Sequence, residues 1–478
     1  MDNRQKVFSN LIWRFMERFG SQAVSFVVSI VLARLLEPEL YGSVALVLVI
    51  ISILQVFVDS GMATALIQKK DTDDLDFSSV FYFNLGFCLL LYAGLFLAAP
   101  ALSRLYGDLS LTPVIRVLGL SIVVSGVKNV QQAYVAKTMQ FRRFFFATLG
   151  GTVFSAAVGI SMAYLGYGIW ALVMQQLLNA AVNTAILWLT VGWKPRRCFS
   201  LERLKGLVAY GWKILASALL DTAYLKLYQL VVGLKYTSTD LAFYNKGDQY
   251  PNLLVENINS SIDSVLLPVL SAEQDRGEQV REMTRRAVKT STYLMFPMMA
   301  GLAVCARPFV QLLLTEKWLP CVPYMQIFCL MYAFYPLHTA NLNAVKAMGR
   351  SDIFLKLEII KKLISTVLLV ASLSLGVYAI ALSQLISCLI AVVINAWPNR
   401  RLLGYSFAAQ LKDVLPALLL SGIMGGAVWS LSFLGLPDLP LLAAQVCAGV
   451  VIYAGLSLAF RLDSFEYLLG ALKRRRGK

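Results

Sequence analysis

Along an otherwise apolar stretch, Arg14, Arg18, Gln22, Ser25 and Ser29 follow one another at intervals of four, four, three and four residues. At about 3.6 residues per turn this spacing predicts one polar face on a helix. Two guanidinium groups a turn apart are planar, permanently charged forks suited to phosphate or carboxylate oxygens, and the amide and hydroxyls beyond them suit a hydroxyl-rich ligand. About 200 residues later the intervals return in Lys213, Ser217, Asp221, Tyr224 and Tyr228. A denser run, Asn245, Gln249, Asn252, Glu256, Asn259 and Asp263, has Lys246 beside it and a sparser counterpart in Ser52, Gln55 and Asp59. Ser121, Ser125, Lys128 and Gln132 add a further polar stretch. The candidate binding residues are therefore Arg14, Arg18, Lys128, Lys213, Tyr224, Tyr228, Lys246 and Asn252. The candidate coupling or gating carboxylates are Asp59, Asp221, Glu256 and Asp263, with H+ or Na+ left open as the coupling ion and no other cofactor expected.

A plainer reading competes. Arg14 lies three residues from Glu17 and can pair with it, and cations near a span end can snorkel to the headgroups. Snorkelling accounts neither for Asp221 and Glu256, which sit deeper, nor for the matching of the faces. Val28 and Val231, off the polar faces, are expected to meet lipid. His338, among Tyr332, Tyr335 and Asn341, reads either as a proton relay or as a hydrogen-bonded core residue. The run Asp71-Thr72-Asp73-Asp74-Leu75-Asp76 has carboxylates that suit Mg2+, yet no second acidic motif accompanies it, which favours a solvated linker with helix-capping aspartates. The single histidine and the scattered Cys88, Cys198, Cys305, Cys321, Cys329, Cys388 and Cys447 offer no CxxC or His/Cys cluster. A metal centre or disulfide framework is not expected.

The elements that must carry these faces follow from composition. Of 478 residues, 58% are apolar and 15% charged, and mean hydropathy is +0.67. Soluble domains are nearer half apolar and a quarter charged, so this is an all-α integral membrane protein. Fourteen segments approach the length of a span: 11–34, 42–66, 79–102, 112–134, 143–164, 168–190, 208–233, 241–268, 287–313, 321–345, 354–375, 377–397, 414–435 and 439–460. The seventh, eighth and tenth are the most polar, as suits helices with one face on water inside protein. The first apolar run is long and lacks a small-residue cleavage site, so it is expected to stay attached as span one.

Cations cluster in alternate connections: Lys194, Arg196, Arg197, Arg203 and Lys205; Arg276, Arg281, Arg285, Arg286 and Lys289; Lys346, Arg350, Lys356, Lys361 and Lys362. The positive-inside rule then sets both termini in the cytoplasm, with the tail Lys473, Arg474, Arg475, Arg476 and Lys478 serving topology and lipid contact. The net charge of +16 is spent there and on anionic lipid rather than on nucleic acid.

Fragments of the chain also match one another in order. Trp13-Arg14 aligns with Trp212-Lys213, Val58-Asp59-Ser60 with Ile262-Asp263-Ser264, Ala136-Lys137-Thr138-Met139 with Val345-Lys346-Ala347-Met348, and Gly168-Ile169-Trp170 with Gly376-Val377-Tyr378. Two parallel six-helix bundles, residues 1–200 and 201–400, are expected, followed by two extra helices and the basic tail in 401–478. Water would reach the matched faces of spans one, two, seven and eight through a cleft.

Two runs point to a family: Leu32-Ala33-Arg34-Leu35-Leu36-Glu37-Pro38-Glu39-Leu40-Tyr41-Gly42, and Val58-Asp59-Ser60-Gly61-Met62-Ala63-Thr64-Ala65-Leu66-Ile67-Gln68-Lys69-Lys70-Asp71. They resemble the amino-terminal signature of WzxC-type polysaccharide flippases of the multidrug/oligosaccharidyl-lipid/polysaccharide exporter superfamily. Ser79-Val80-Phe81-Tyr82-Phe83-Asn84-Leu85 and Phe141-Arg142-Arg143-Phe144 extend the likeness, which is specific over the first 145 residues and architectural beyond them. The resemblance implies a bacterial inner-membrane flippase, not an enzyme, that passes undecaprenyl-diphosphate-linked oligosaccharides to the outer leaflet by alternating access. Its partners would be lipid-linked oligosaccharide, membrane lipids, and glycan polymerase and export machinery. The alternatives are a multidrug or cation antiporter of the same superfamily, expected to favour an acidic cleft, and a membrane glycan polymerase or prenyltransferase.

Overall fold

The computed structural model describes residues 3–59, 61–69, 71–467 and 470, with side chains from Ile12 onward except Tyr210. Ser60, Lys70 and the basic tail Lys473–Lys478 lie outside the described residues. Within them the chain is helical and has no strand. The first part holds α1 (Asn3–Leu35), α2 (Pro38–Asp59), a short α3 (Met62–Gln68), α4 (Asp74–Leu105), α5 (Leu111–Lys137), α6 (Phe141–Tyr164), α7 (Ile169–Thr190) and α8 (Leu201–Lys235). Then come α9 (Ser238–Ala272), α10 (Gly277–Val304), α11 (Ala306–Leu314), α12 (Val322–Ala333), α13 (Tyr335–Ala347), α14 (Ser351–Ser372), α15 (Val377–Leu402), α16 (Phe407–Ser430) and α17 (Asp438–Ala459).

Eleven described helical stretches are long and apolar enough to span a membrane, and twelve if α10 and α11, bent by 65° at Cys305, count as one. The fourteen expected segments are reached only by adding α12 with α13, and α14. The tenth segment is broken because Pro336 sits in the first turn of α13, where its missing N–H costs least and its ring stops continuation of α12. The eleventh, α14, carries Lys356, Glu358, Lys361 and Lys362, too many charges for a strict apolar window.

Contacts divide the chain into two compact units, Met1–Ala242 and Phe243–Lys478. In the first, α4 packs on α5, α5 on α7, α6 on α7 and α1 along α6. In the second, α10 packs on α12 and α13, both of those on α15, and α14 on α15. The matched glycines Gly168 and Gly376 occupy the N-cap positions of α7 and α15 with φ of 54° and 99°, which a side chain would resist. Helix α8, where the second bundle was expected to begin, packs on α2, α3 and α4 within the first unit.

The first unit's core joins Phe77, Val80, Phe81, Val130, Leu187 and Trp193, with Phe77 at 5.6 Å from both Tyr134 and Trp193. Large apolar side chains such as Leu90, Leu97, Leu189, Leu225 and Val451 lie exposed on the helices. That surface is stable against acyl chains and would be costly in water.

Candidate functional site

Helix α1 meets α6 through an aromatic and cationic seam. Trp13 packs on Phe145 at 5.4 Å, and the Arg142 guanidinium lies 5.4 Å above the Trp13 ring. This seam orients the Arg14 face: Arg14, Arg18 and Ser25 are exposed within the unit, with Gln22 and Ser29 half-buried. Arg14 pairs with Glu17 at 2.6 Å, so the plainer reading of that contact is realised, and its guanidinium stands 5.4 Å from the Phe144 ring.

Helix α8 starts at Ser200, whose hydroxyl accepts from the Arg203 backbone N–H, a side-chain cap of the usual kind. It then crosses Gly61, at the start of α3, through Gly211. A Cβ on Gly61 would lie 2.4 Å from the Gly211 carbonyl oxygen, and Gly61 has φ of 92°, so only two glycines allow this approach. Beyond the crossing, Lys213, Ser217 and Asp221 line an open recess of about 420 Å3 together with Ile214 and Ala218. These three side chains therefore share one open face of α8. Tyr224 is half-buried and Tyr228 buried, so their rings stand back from the exposed part of that face.

On α2, Gln55 donates to Asp59 at 3.1 Å, and Asn129 of α5 donates to the same carboxylate at 3.3 Å. Lys128, next to Asn129 on α5, is half-buried. The second unit repeats the motif: Asn343 of α13 donates to Asp263 of α9 at 2.8 Å. Each carboxylate is exposed and is held by an asparagine from the fourth span of its half. On α9, Asn252 donates to the exposed Glu256 at 3.3 Å. Lys246 points elsewhere: it is buried, donates to Gln249 at 3.0 Å and lies 5.5 Å from the Trp318 ring. Among the described residues no three His, Cys, Asp or Glu side chains are grouped to hold a metal.

The sequence profile described as polysaccharide biosynthesis protein matches residues 31–323, more than half of the chain. The chain belongs to the polysaccharide biosynthesis protein family. It is 24% identical over 417 residues to the succinoglycan biosynthesis transport protein ExoT of Rhizobium meliloti (strain 1021), covering 87% of this chain and 82% of ExoT. It is 24% identical over 447 residues to the lipopolysaccharide biosynthesis protein WzxC of Escherichia coli (strain K12), covering 92% and 87%. The teichuronic acid biosynthesis protein TuaB of Bacillus subtilis (strain 168) is 22% identical over 412 residues, with 84% of each chain covered. Among solved structures, the lipid II flippase MurJ in its inward closed conformation superposes with a TM-score of 0.76 at 17% identity, over 94% of this chain and 99% of that chain. An inward-facing MATE family transporter of the MOP superfamily gives 0.63 at 17% identity, over 82% and 96%. At such identities the structural likeness concerns the fold.

Three features of this polysaccharide biosynthesis family member were not visible in its sequence. Asp76, in the acidic run read as a solvated linker, is fully buried and accepts from Lys69 at 2.6 and 2.7 Å. Arg203 of α8 approaches it at 3.5 Å. The capping part of that reading holds, since Asp73 and Asp76 form a reciprocal capping box on α4. Second, Val28 is only 5% exposed and does not face lipid as expected, because it packs within the first unit. Third, an apolar cavity of about 650 Å3 opens between α10, α11, α16 and α17, lined by Pro297, Met298, Phe309, Met424, Val446 and Val450 among others. His338 has both ring nitrogens engaged, with Asn395 at 2.8 Å and the Cys388 sulfur at 3.2 Å, which is the core reading of that residue.

Proposed function

We propose that this protein is a multi-pass flippase that moves an undecaprenyl-diphosphate-linked oligosaccharide from the inner to the outer leaflet of a bacterial inner membrane, by alternating access and without covalent chemistry. The observation that carries the reading is the pair of exposed cationic faces on membrane-spanning helices of one unit. Arg14 and Arg18 stand on α1, and Lys213 heads the recess on α8. Charges at membrane depth are expensive and persist where a ligand or water meets them, and a diphosphate is the anion that guanidinium and ammonium groups complement best here. Asp221, Ser217, Gln22 and Ser25 offer hydrogen bonds for sugar hydroxyls. ExoT and WzxC are named for succinoglycan transport and lipopolysaccharide biosynthesis, which supports a glycan precursor as cargo. Both termini lie in the cytoplasm, and Asp59 in the first unit and its counterpart Asp263 in the second are two separate places for a coupling ion.

The test is cellular and then reconstituted. Deleting the gene should accumulate one lipid-linked oligosaccharide in the inner leaflet, and the purified protein in proteoliposomes should make that lipid accessible to a glycan-cleaving enzyme added outside. Translocation of an organic cation with no effect on the lipid-linked glycan would favour the antiporter reading instead.

A further inference from the structure

The Arg14–Glu17 ion pair joins two residues of the same helix, three positions apart, so it ties no two elements together. Pairs of this kind contribute little to stability. The arrangement around it is nonetheless asymmetric. Glu17 is fixed: its side chain is 13% exposed, and Thr148 of α6 donates to its second oxygen at 3.1 Å. Arg14 is the accessible member, with its side chain 56% exposed and its guanidinium resting near the Phe141 and Phe144 rings at 5.8 and 5.4 Å. Those rings offer the cation a second resting place when it leaves the carboxylate. A fixed anion thus engages one nitrogen, Nη1, of a guanidinium that is free to turn outward.

We propose that Glu17 is the resident counter-ion of Arg14, a built-in competitor that an incoming diphosphate displaces and that reclaims the guanidinium on release. This rests on the reading above that Arg14 meets the diphosphate. Arginine stays charged throughout, so binding and release cannot be controlled by its own deprotonation. A carboxylate and a phosphate oxygen compete for the same donors, and the competition lowers affinity by the free energy of the pair that must be broken. For a transporter that is an advantage: a site that must empty on the far side works faster when an internal anion takes over the cation.

The experiment uses the full chain in nanodiscs and a polyprenyl diphosphate as the probe, with the uncharged polyprenol of the same length as control. Glu17→Gln should bind the diphosphate about twofold more tightly, leave polyprenol binding unchanged, and slow turnover in proteoliposomes at saturating substrate. Glu17→Asp, which keeps the charge but retracts it, should give a smaller gain and carries the test if Glu17→Gln does not fold. In an Arg14→Ala background, Glu17→Gln should have no further effect. Thr148→Val loosens Glu17 from α6 while leaving the competitor in place, and should leave affinity unchanged. Unchanged or weaker diphosphate binding by Glu17→Gln, or the same gain from Thr148→Val, overturns the proposal while leaving Arg14 as a ligand. If Arg14→Ala itself binds the diphosphate like the native protein, the reading of Arg14 fails and this proposal fails with it.

Discussion

Arg18 stands one turn beyond Arg14 on the same exposed face, and among the described residues no ion pair within 4 Å is formed by it in the way that Glu17 engages Arg14. Its charge is therefore available to a ligand, and its geometry matters as much as its sign, since a guanidinium binds two oxygens where an ammonium is a point charge. Arg18→Glu should abolish export at normal protein abundance, and Arg18→Lys should keep part of it, on the order of a tenth. Full export by a stably produced Arg18→Glu protein, measured as surface glycan per cell, would remove this residue from the binding set. The face that carries Arg18 was legible from spacing alone. The environment of Asp76 was not, because its partners Lys69 and Arg203 come from the far end of α3 and from α8, and no local pattern encodes their convergence.

Single helices impose their own requirements. Where α3 begins against α8, Gly61→Ala would place a methyl group 2.4 Å from the Gly211 carbonyl oxygen and force a side chain into a φ of 92°. We expect a loss of about 2–3 kcal/mol from strain and overlap, seen as a lower melting temperature of the purified protein. Gly94→Ala, inside α4 with nothing within 4 Å, is the control and should not lower it. At the start of α4, the Asp76 backbone N–H donates to Asp73 and holds that carboxyl below the usual carboxylate range. A depressed folded-state pKa means the cap is fully present above the unfolded value of about 3.9 and is lost as pH falls through the lower folded one. Asp73→Asn should keep most of the cap and remove this pH dependence, whereas Asp73→Ala should cost about 1 kcal/mol at neutral pH. Melting curves from pH 7 down to about 3 distinguish the two.

At the scale of the molecule, alternating access requires that polar faces reach water while lipid faces do not. In a background without native cysteines, Ser25→Cys and Ser217→Cys should react with a small hydrophilic thiol reagent. Val27→Cys, an exposed apolar position on the side of α1 opposite its polar face, should not; Val28 is buried and cannot serve as a lipid-facing control. Labelling of the first two should change when substrate synthesis is blocked, because a ligand redistributes conformations only by binding them unequally. Uniform labelling at all three positions, indifferent to substrate, would contradict a water-lined transport path.

Composition and periodicity alone established an all-helical membrane protein, because apolar runs of span length have few other solutions and a polar face at 3.6-residue spacing survives whatever the helix packs against. They also established which side chains share a face on α1 and α8. Only the tertiary structure decided which of these are presented and which withdrawn: Lys213 and Asp221 open into a recess, Tyr228 and Lys246 are covered, and Glu17 holds Arg14. It also decided where the tenth span breaks, at Phe334 before Pro336, and that α8 packs with the first unit. The reason is physical: periodicity encodes direction around a helix axis, whereas burial and partnership depend on residues brought in from distant sequence, such as Thr148 to Glu17 and Asn343 to Asp263.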